Sequence, residues 1–385
     1  MKNYFSSDFK LGVLGGGQLG RMLLPETQKY DIYTAILDAS AEAPCAQICN
    51  EFHIGNLLDF DAVYNFGKLV DVLTIEIEHV NIDALYQLEK EGLKIYPQPS
   101  VIETIQHKGK QKDFFVKNDI PTSPHKRFKN KETLVSAFEK NEIEIPFVWK
   151  SAQFGYDGTG VKVVRSSEDI QNLADTDCIT EELIPFKNEL AVIVARNSDG
   201  EIKTYPVVEM EFHPEANQVE YVICPARIEE SVASKARKIA LNVAESFKHV
   251  GLLAVEMFQT KDDTILVNEV APRTHNSGHY SIEASYTNQF EQHLRTVLNL
   301  PLGNTNSKVA GIMVNLVGEE GFTGEVVYEN IEKIIQIDGV TPHIYGKKTT
   351  KPFRKMGHVT IVNKDITKAR EIAQKVKETI RVISK

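Results

Sequence analysis

Short apolar runs alternate with amphipathic segments at the start of the chain, and this pattern predicts a parallel sheet. Residues 9–14, 32–37 and 72–75 are apolar runs of strand length, and residues 18–30 have helical spacing. Strands that alternate with helices in this way form parallel sheets with right-handed crossovers. We therefore expect an N-terminal α/β domain over residues 1–100, which ends where a Tyr-Pro-Gln-Pro stretch interrupts regular structure.

The pattern changes after residue 100 and becomes mixed α+β. Strand-like and helical stretches follow each other at residues 110–117 (helix), 131–140 (helix), 145–149 and 161–164 (strands), 190–208 and 219–224 (strand-like), 234–250 (helix), 252–258 and 265–270 (a hairpin) and 289–300 (helix). Pro301 and Gly303 mark a second boundary. We expect a central unit over residues 101–303 and a small C-terminal domain over 304–385, with short strands and a closing helix capped by Asp365.

Composition narrows the class of protein. A chain of 385 residues exceeds the size of a single core, and 42% hydrophobic with 25% charged residues is ordinary for a soluble globular protein. No apolar run approaches the ~18 residues of a membrane span, and the N-terminus does not have the pattern of a secretory signal, so we expect a cytoplasmic protein. Four scattered cysteines do not form a disulfide or zinc pattern.

The net charge of −9 argues against binding to nucleic-acid backbones. The segment 107–112 is locally basic, but a solvated helix start explains it equally well. We expect neither nucleic acid nor membrane among the partners.

A glycine turn follows the first predicted strand. Gly15, Gly17 and Gly20 fit the spacing G-x-G-x-x-G, with Asp38 about twenty residues on, which is the fingerprint of dinucleotide binding. The same turn at a helix N-terminus also suits a substrate phosphate, and a glycine turn without any ligand is a third interpretation.

A second glycine-rich run, FGYDGTG at residues 154–160, follows Lys150 at the end of a predicted strand. Three glycines allow such a loop to bend over phosphates and donate backbone N–H groups, and Lys150 suits phosphate oxygens. No Gly-Lys-Ser/Thr follows, so this is not a Walker A loop. A surface lysine at a strand end is the alternative for Lys150.

Two acids lie on the arms of the predicted hairpin. Glu256 and Glu269 can face each other across the strands, where they would repel unless a cation lies between them. Oxygen ligands suit magnesium, which bridges nucleotide phosphates. Solvated strand-face acids are the alternative, and the adjacent Asn268 and Arg273 make it less attractive.

A polar cluster follows the hairpin at once. Arg273, His275, Asn276 and Ser277 occupy five positions of an irregular segment, where Arg suits a carboxylate or phosphate and the others offer neutral donors and acceptors. His53, His125 and His249 have no such company, and we expect them to be structural or exposed.

Five motifs together carry a family resemblance: GGGQLGRM, TIEIEHV, KSAQFGYDGTG, VNEVAPRTHNSGH and FRKMGH. From residue 11 to residue 358 the chain resembles the 5-(carboxyamino)imidazole ribonucleotide synthetases, ATP-grasp enzymes of purine biosynthesis. The resemblance implies an N-terminal Rossmann-like domain, a central ATP-grasp domain with a lid over roughly 120–185, and a small C-terminal domain. It also implies ATP as co-substrate, Mg²⁺ (or Mn²⁺), and a homodimer.

The resemblance assigns roles to individual residues. The implied ATP contacts are Lys108, Lys150, Gly155, Tyr156, Asp157, Gly158, Thr159, Gly160, Glu181, Glu182, Leu183, Ile184, Glu189, His213, Asn268 and Glu269. The implied contacts to aminoimidazole ribonucleotide are Gly17, Gln18, Leu19, Glu76 and Ser277. The chemistry would involve Asp157, Arg273, His275, Asn276, Lys347 and Arg354, with Glu256 and Glu269 as metal ligands.

Two positions depart from the family pattern. Lys108 stands where members often carry an ATP-binding Arg, so this contact is expected to be weaker or single-pronged. Glu182 replaces a Gln that is common in the family at the hinge beside the adenine. In this hinge the family recognises the adenine largely through backbone groups.

The implied reaction is the ATP-dependent carboxylation of aminoimidazole ribonucleotide by bicarbonate through carboxyphosphate. A sister ligase such as formate-dependent glycinamide ribonucleotide transformylase shares the glycine turn and the acid pair, but the THNSGH segment favours the first reaction. An NAD-dependent oxidoreductase would leave the loop at 154–160 and the acid pair unexplained. A non-catalytic nucleotide sensor is disfavoured by the intact set of acids and lysines.

Overall fold

The computed structural model describes residues 3–153, 160–213 and 218–385. The N-terminal part is a parallel sheet, as the apolar pattern predicts, and its strand order is β3-β2-β1-β4-β5. One core packs α1 against the sheet, and a second core packs α2 and α3 against it. Its elements are β1 Lys10–Leu14, α1 Gln18–Lys29, β2 Tyr33–Asp38, β3 Glu51–Ile54, α2 Phe60–Gly67, β4 Val72–Ile75, α3 Ile82–Lys90 and β5 Lys94–Ile95.

A small lobe follows, built on an antiparallel sheet of order β6-β9-β7-β8. Trp149, Phe147 and Leu134 belong to its own apolar core. Two helices, α4 Pro99–Gln106 and α5 Lys108–Lys117, precede the lobe and pack into the core of the central sheet. The lobe's own elements are β6 His125–Phe128, α6 Lys131–Glu139, β7 Phe147–Ser151, β8 Val161–Val164, α7 Ser167–Gln171 and β9 Cys178–Glu182. The glycine-rich run at 154–159 lies outside the described residues.

The centre of the molecule is a large antiparallel sheet that carries the acid hairpin at one edge. The elements of this region are β10 Phe186–Arg196, β11 Ile202–Thr204, β12 Val208–Phe212, β13 Val219–Cys224, α8 Glu230–Phe247, β14 Gly251–Thr260, β15 Ile265–Ala271, α9 Ser281–Ala284 and α10 Gln289–Val297. A short 3₁₀ turn, Asn276–Gly278, connects the hairpin to α9.

Part of the C-terminal region continues the central sheet, and part forms a separate three-stranded sheet. The region's elements are β16 Ala310–Val317, β17 Gly324–Glu329, α11 Ile331–Ile334, β18 Val340–Ile344, β19 Thr349–Thr350, β20 Lys355–Asn363, α12 Ile366–Thr379 and β21 Arg381–Ser384. The order β15-β14-β10-β12-β13-β16-β20-β18 shows that β16 continues the central sheet through β13. Pairing with β13 satisfies backbone groups that a free strand edge would leave open.

Two element boundaries differ from the sequence predictions for local reasons. The helix predicted over 234–250 ends at Phe247 because Lys248 adopts a left-handed conformation with φ of 49°. The strand-like stretch over 190–208 is broken after Arg196, where Gly200 takes a φ of 89° in a tight turn. Both conformations terminate regular hydrogen bonding.

All four cysteines are free thiols, as expected from their spacing. Among the described residues, helices that combine the length and apolar character of a membrane span are absent.

The predicted N-cap of the closing helix is present, and it yields a stability test. The Asp365 carboxylate accepts hydrogen bonds from Thr367 N at 2.8 Å and Lys368 N at 3.4 Å. We expect Asp365→Ala to lower the free energy of unfolding by about 1 kcal/mol, measured by chemical denaturation. Asp365→Asn keeps an acceptor and should lose only a few tenths; equal losses in both variants would contradict the capping role.

Candidate active site

The two carboxylates of the hairpin lie opposite each other. Glu256 on β14 pairs in register with Glu269 on β15, beside a register irregularity between Glu256 and Met257. Burial, with Glu269 and Glu189 nearby, raises the pKa of Glu256. The Lys108 ammonium group lowers the pKa of Glu269 despite burial. The pair is therefore asymmetric, with Glu269 holding the negative charge and Glu256 holding a proton more tightly than an ordinary carboxyl group.

The lysines that face this pair come from the start of α5. His107 caps this helix with its imidazole, which accepts from Gly109 N at 3.1 Å, and Lys108 forms an ion pair with Glu269. Lys112, one turn later, is buried with only 2% of its surface exposed. The segment 107–112 is therefore a helix start at which Lys108 and Lys112 point inward while Lys110 is exposed, and the solvated alternative is wrong for Lys112.

Lys150 and Lys112 share one carboxylate. The Lys150 Nζ lies 2.9 Å from Glu181 Oε1, and the Lys112 Nζ lies 3.1 Å from Glu181 Oε2. Burial opposes ionisation of Glu181, but these two ammonium groups lower its pKa to about 2. Lys150 also donates to Asn268 Oδ1 at 2.8 Å, which ties the small lobe to the acid hairpin.

The donors around the acid pair suit a hard divalent cation. Glu256, Glu269 and Asn268 offer only oxygen ligands on adjacent strand positions. Within the described parts of the chain, His, Cys, Asp and Glu do not cluster in threes around a possible metal position. Two carboxylates completed by phosphate oxygens are typical of Mg²⁺ bound with a nucleotide, and this donor set fits that arrangement.

The polar segment after the hairpin reaches the acid pair from the other side. His275 Nε2 lies 3.2 Å from Glu256 Oε1, and His275 Nδ1 lies 2.9 Å from Ser277 Oγ. Arg273 Nε lies 2.9 Å from Glu78 Oε1, just beyond the end of β4. The structure thus places the His275 imidazole beside the acid pair and the Arg273 guanidinium beside Glu78, and both are groups that can bind an anion.

Asn276 has a different environment from the one the resemblance implies. Its side-chain amide exchanges two hydrogen bonds with Asn315 on β16, at 2.9 and 3.0 Å, and it is buried. The amide is therefore committed to holding the C-terminal region against the polar segment. Its implied involvement in the chemistry stays a prediction.

The first glycine turn is held by acids of its own sheet. Glu76 Oε1 accepts from Leu19 N at 3.0 Å, and a Cβ added to Gly17 would lie only 2.6 Å from that oxygen. Asp38 Oδ2 accepts from Gly16 N at 2.7 Å. Asp38 therefore stabilises the turn, which accounts for its position without a dinucleotide ribose.

The C-terminal region closes over the same turn. Lys347 Nζ donates to Gln18 Oε1 at 2.7 Å and to the Lys355 carbonyl oxygen at 2.7 Å. Arg354 does not join this contact, because its guanidinium donates to the Thr349 carbonyl oxygen at 2.8 Å. Of the two C-terminal residues implied in the chemistry, Lys347 contacts the glycine turn and Arg354 contacts Thr349, and both roles stay predictions.

The remaining predicted residues lie at the edges of the site. Glu181 and Glu182 end β9, with Leu183 and Ile184 directly after them. Glu189 lies on β10, where burial raises its pKa to about 7 against the opposing charge of Lys150. His213 follows β12, with its ring centroid 6.2 Å from that of Phe353. Gly160, at a φ of 77°, accepts from Ser151 N, and Gly155, Tyr156, Asp157, Gly158 and Thr159 lie outside the described residues.

Sequence reasoning missed three charged residues of the site. Lys112 could have been found from its spacing of four residues from Lys108, which places both on one helix face. Glu78 lies in the TIEIEHV motif but had no assigned partner. Lys355 is close enough to Glu256 to oppose the rise in its pKa, and several neighbouring lysines in the sequence concealed it.

Three domain families match this architecture. Residues 9–106 match the ribonucleotide synthetase preATP-grasp domain, residues 113–290 the ATP-grasp domain, and residues 311–372 the phosphoribosylaminoimidazole carboxylase C-terminal domain. The chain therefore has the ATP-grasp fold, together with the expected N-terminal and C-terminal domains.

Relatives of known name resemble the whole chain. A phosphoribosylaminoimidazole carboxylase of Candida glabrata is 41% identical over 91% of this chain, which spans 63% of that longer protein. The structure of N5-carboxyaminoimidazole ribonucleotide synthetase from Thermotoga maritima has a TM-score of 0.90 and 41% identity, covering 98% of this chain and 100% of the other. The synthase from Aspergillus clavatus, in complex with ADP and 5-aminoimidazole ribonucleotide, has a TM-score of 0.87 and 33% identity, covering 97% and 98%.

The asymmetry of the acid pair predicts a pH-dependent gain in stability on substitution. A carboxyl group with a raised pKa in the folded state contributes stability at low pH that is lost as pH rises through that pKa. In the absence of divalent ions, we expect Glu256→Gln to become more stable than the unsubstituted protein between about pH 5 and about pH 8, by about 1 kcal/mol or more. Thermal unfolding across this range measures it. The exposed Glu245→Gln controls for the loss of one charge, and parallel curves for Glu256→Gln and the parent would contradict the shift.

Proposed function

The chain belongs to the N5-carboxyaminoimidazole ribonucleotide synthetase family, and we propose that it carboxylates 5-aminoimidazole ribonucleotide with bicarbonate and ATP. The observation that carries the proposal is the convergence on the Glu256 and Glu269 pair. Lysines contact Glu269 and Asn268, and His275 contacts Glu256, with Arg273 two residues before His275 in the chain. A phosphate donor and a small anion can therefore meet at one point.

The lysines are arranged to receive nucleotide phosphates. Lys108 and Lys150 are each paired with a carboxylate of the site, so both are held in place before a phosphate arrives. Their charges would offset the negative charge that develops at the transferred phosphoryl group. Mg²⁺ held by Glu256 and Glu269, with Asn268 nearby, would neutralise phosphate charge and align the phosphates when bound.

The other side of the pair suits bicarbonate. A bicarbonate oxygen would attack the γ-phosphorus of ATP, releasing ADP and forming carboxyphosphate. Arg273 would hold the anion, and His275 would orient it beside Glu256. Breakage of the carbon–oxygen bond of carboxyphosphate then yields carbon dioxide and phosphate in a site that must exclude water.

The amine substrate would approach from the glycine turn. Its phosphate would bind near Gln18 and Leu19 at the N-terminus of α1, where Lys347 already contacts Gln18. Its exocyclic nitrogen would form the new bond to carbon dioxide and pass a proton to the departing phosphate. The Aspergillus clavatus relative, with ADP and 5-aminoimidazole ribonucleotide, supports two ligand sites in one chain of this fold.

Several finer assignments belong to the proposal. These are the individual site residues, the identity of the metal as Mg²⁺, the domain boundaries, the homodimer and the cytoplasmic location. The family membership and the arrangement of the charged residues support the site residues, the metal and the domain boundaries. The homodimer rests on the resemblance, and the cytoplasmic location rests on the sequence pattern.

The proposed reaction is tested by ADP release. We expect ADP formation to depend on 5-aminoimidazole ribonucleotide together with bicarbonate, because the carboxyphosphate route uses both. Replacing these with glycinamide ribonucleotide and formate separates the sister transformylase. Turnover only with formate would overturn the proposal. ADP release at the same rate with and without 5-aminoimidazole ribonucleotide would also overturn it.

Lys150 provides a test of the phosphate side of the site. We expect Lys150→Met to lower kcat/KM for ATP by about 100-fold, since it removes the positive charge that would offset the negative charge of the transferred phosphoryl group. Glu181 would remain paired with Lys112, so the fold should persist. Steady-state kinetics measures the loss, with the exposed Lys129→Met as the matched control. Equal activity of the two variants would contradict the role.

A further inference from the structure

Gln289, at the first turn of α10, is a fully buried amide with every polar atom of its side chain engaged. Its Oε1 accepts from His275 N at 2.9 Å. Its Nε2 donates to the His275 carbonyl oxygen at 2.9 Å and to His279 Nδ1 at 2.8 Å. One side chain therefore binds residues at both ends of the segment 275–279.

The backbone of α10 strengthens this grip. Gln289 N donates to Ser281 Oγ at 2.9 Å, and Ser281 Oγ donates to the Gly278 carbonyl oxygen at 2.5 Å. A Cβ added to Gly278 would lie 2.4 Å from Gln289 Oε1, so the segment approaches the amide as closely as a glycine allows. The path of residues 275–279 is thus set by contacts with α10.

This path determines where the His275 imidazole lies. The ring reaches Glu256 with its Nε2 and Ser277 with its Nδ1, while its own backbone N–H and carbonyl are both held by Gln289. Loss of the amide would remove the partner that Gln289 gives to His275 N and to His279 Nδ1, while the His275 carbonyl oxygen would keep only its hydrogen bond from Gly278 N, and the segment would have to move to restore these contacts.

We propose that Gln289 is a positioning residue for the carboxylation step, acting through His275 without touching the substrates. The inference rests on the proposed function, because it concerns the side of the acid pair assigned to bicarbonate. It predicts an effect on turnover that is separate from nucleotide binding, since the hydrogen bonds of Lys108 and Lys150 go to Glu269 and Asn268, whereas those of Gln289 go to His275 and His279.

The same helix contains a matched control. Gln292 is equally buried, and its amide also holds a backbone segment: Oε1 accepts from Gly303 N at 2.9 Å, and Nε2 donates to the Gly303 carbonyl oxygen at 3.4 Å. Gly303 lies in a connecting segment to which no site residue is assigned. A purely structural role for buried amides of α10 would make the two positions equivalent.

The test compares Gln289→Leu with Gln292→Leu in the full-length protein. We expect Gln289→Leu to lower kcat for substrate-dependent ADP release by about 100-fold, because small displacements of a reacting group have effects of this size. KM for ATP should change less than about threefold. Gln292→Leu should keep kcat within about threefold of the parent, even if its thermal stability falls as much as that of Gln289→Leu.

The outcomes separate the two proposals. An inactive parent protein contradicts the proposed function itself. An active parent with unchanged kcat in Gln289→Leu, or with equal losses in both variants, overturns the positioning role. If Gln289→Leu does not fold, the isosteric Gln289→Glu replaces it: its ionised carboxylate cannot donate to the His275 carbonyl or to His279, so the same fall in kcat is expected and full activity would overturn the inference.

Discussion

Two carboxylates held opposite each other on antiparallel strands are the constraint on which the rest of this site depends. The register of β14 and β15 sets Glu256 against Glu269, and like charges so placed repel. Lys108 pairs with Glu269, His275 approaches Glu256, and Lys150 holds the neighbouring Asn268. Each contact relieves part of the repulsion and also places a group that can handle a phosphate or a small anion. The contacts that offset the repulsion between the two carboxylates are therefore the same contacts that place the functional groups of the site.

The helix α10 connects this site to the N-terminal domain, although few of its residues are apolar. Gln289 holds the polar segment, and His293 lies 2.9 Å from Thr74 on β4, two residues before Glu76. Glu291 accepts from Tyr30 at 2.8 Å at the end of α1. Buried polar side chains remain stable only when their hydrogen bonds are made, so these contacts also fix one relative position of the domains. The glycine turn and the acid pair are consequently held in a fixed position relative to each other.

Much of the fold follows from the apolar pattern, because periodicity reports which face of an element is buried. The parallel order of the first sheet, the acid hairpin and the helix capped by Asp365 were predictable in this way. The joining of β16 to β13 was not, since the pairing partner of a strand is not written in its own residues. The early end of α8 at Lys248 was also hidden, because a left-handed lysine has no distinctive local signal.

By itself, the sequence determined the family, the fold class and the residue types that gather at the site, since these depend on motifs and local periodicity. Tertiary structure decided which charges meet. It assigned Lys112 to Glu181 and Arg273 to Glu78, and it turned Asn276 toward Asn315. It also placed Gln289 in contact with the His275 backbone, from a helix that the sequence analysis described only by its bounds. The physical reason is that ion pairs and buried hydrogen bonds join residues far apart in the chain, and their geometry exists only after the strands and helices have packed.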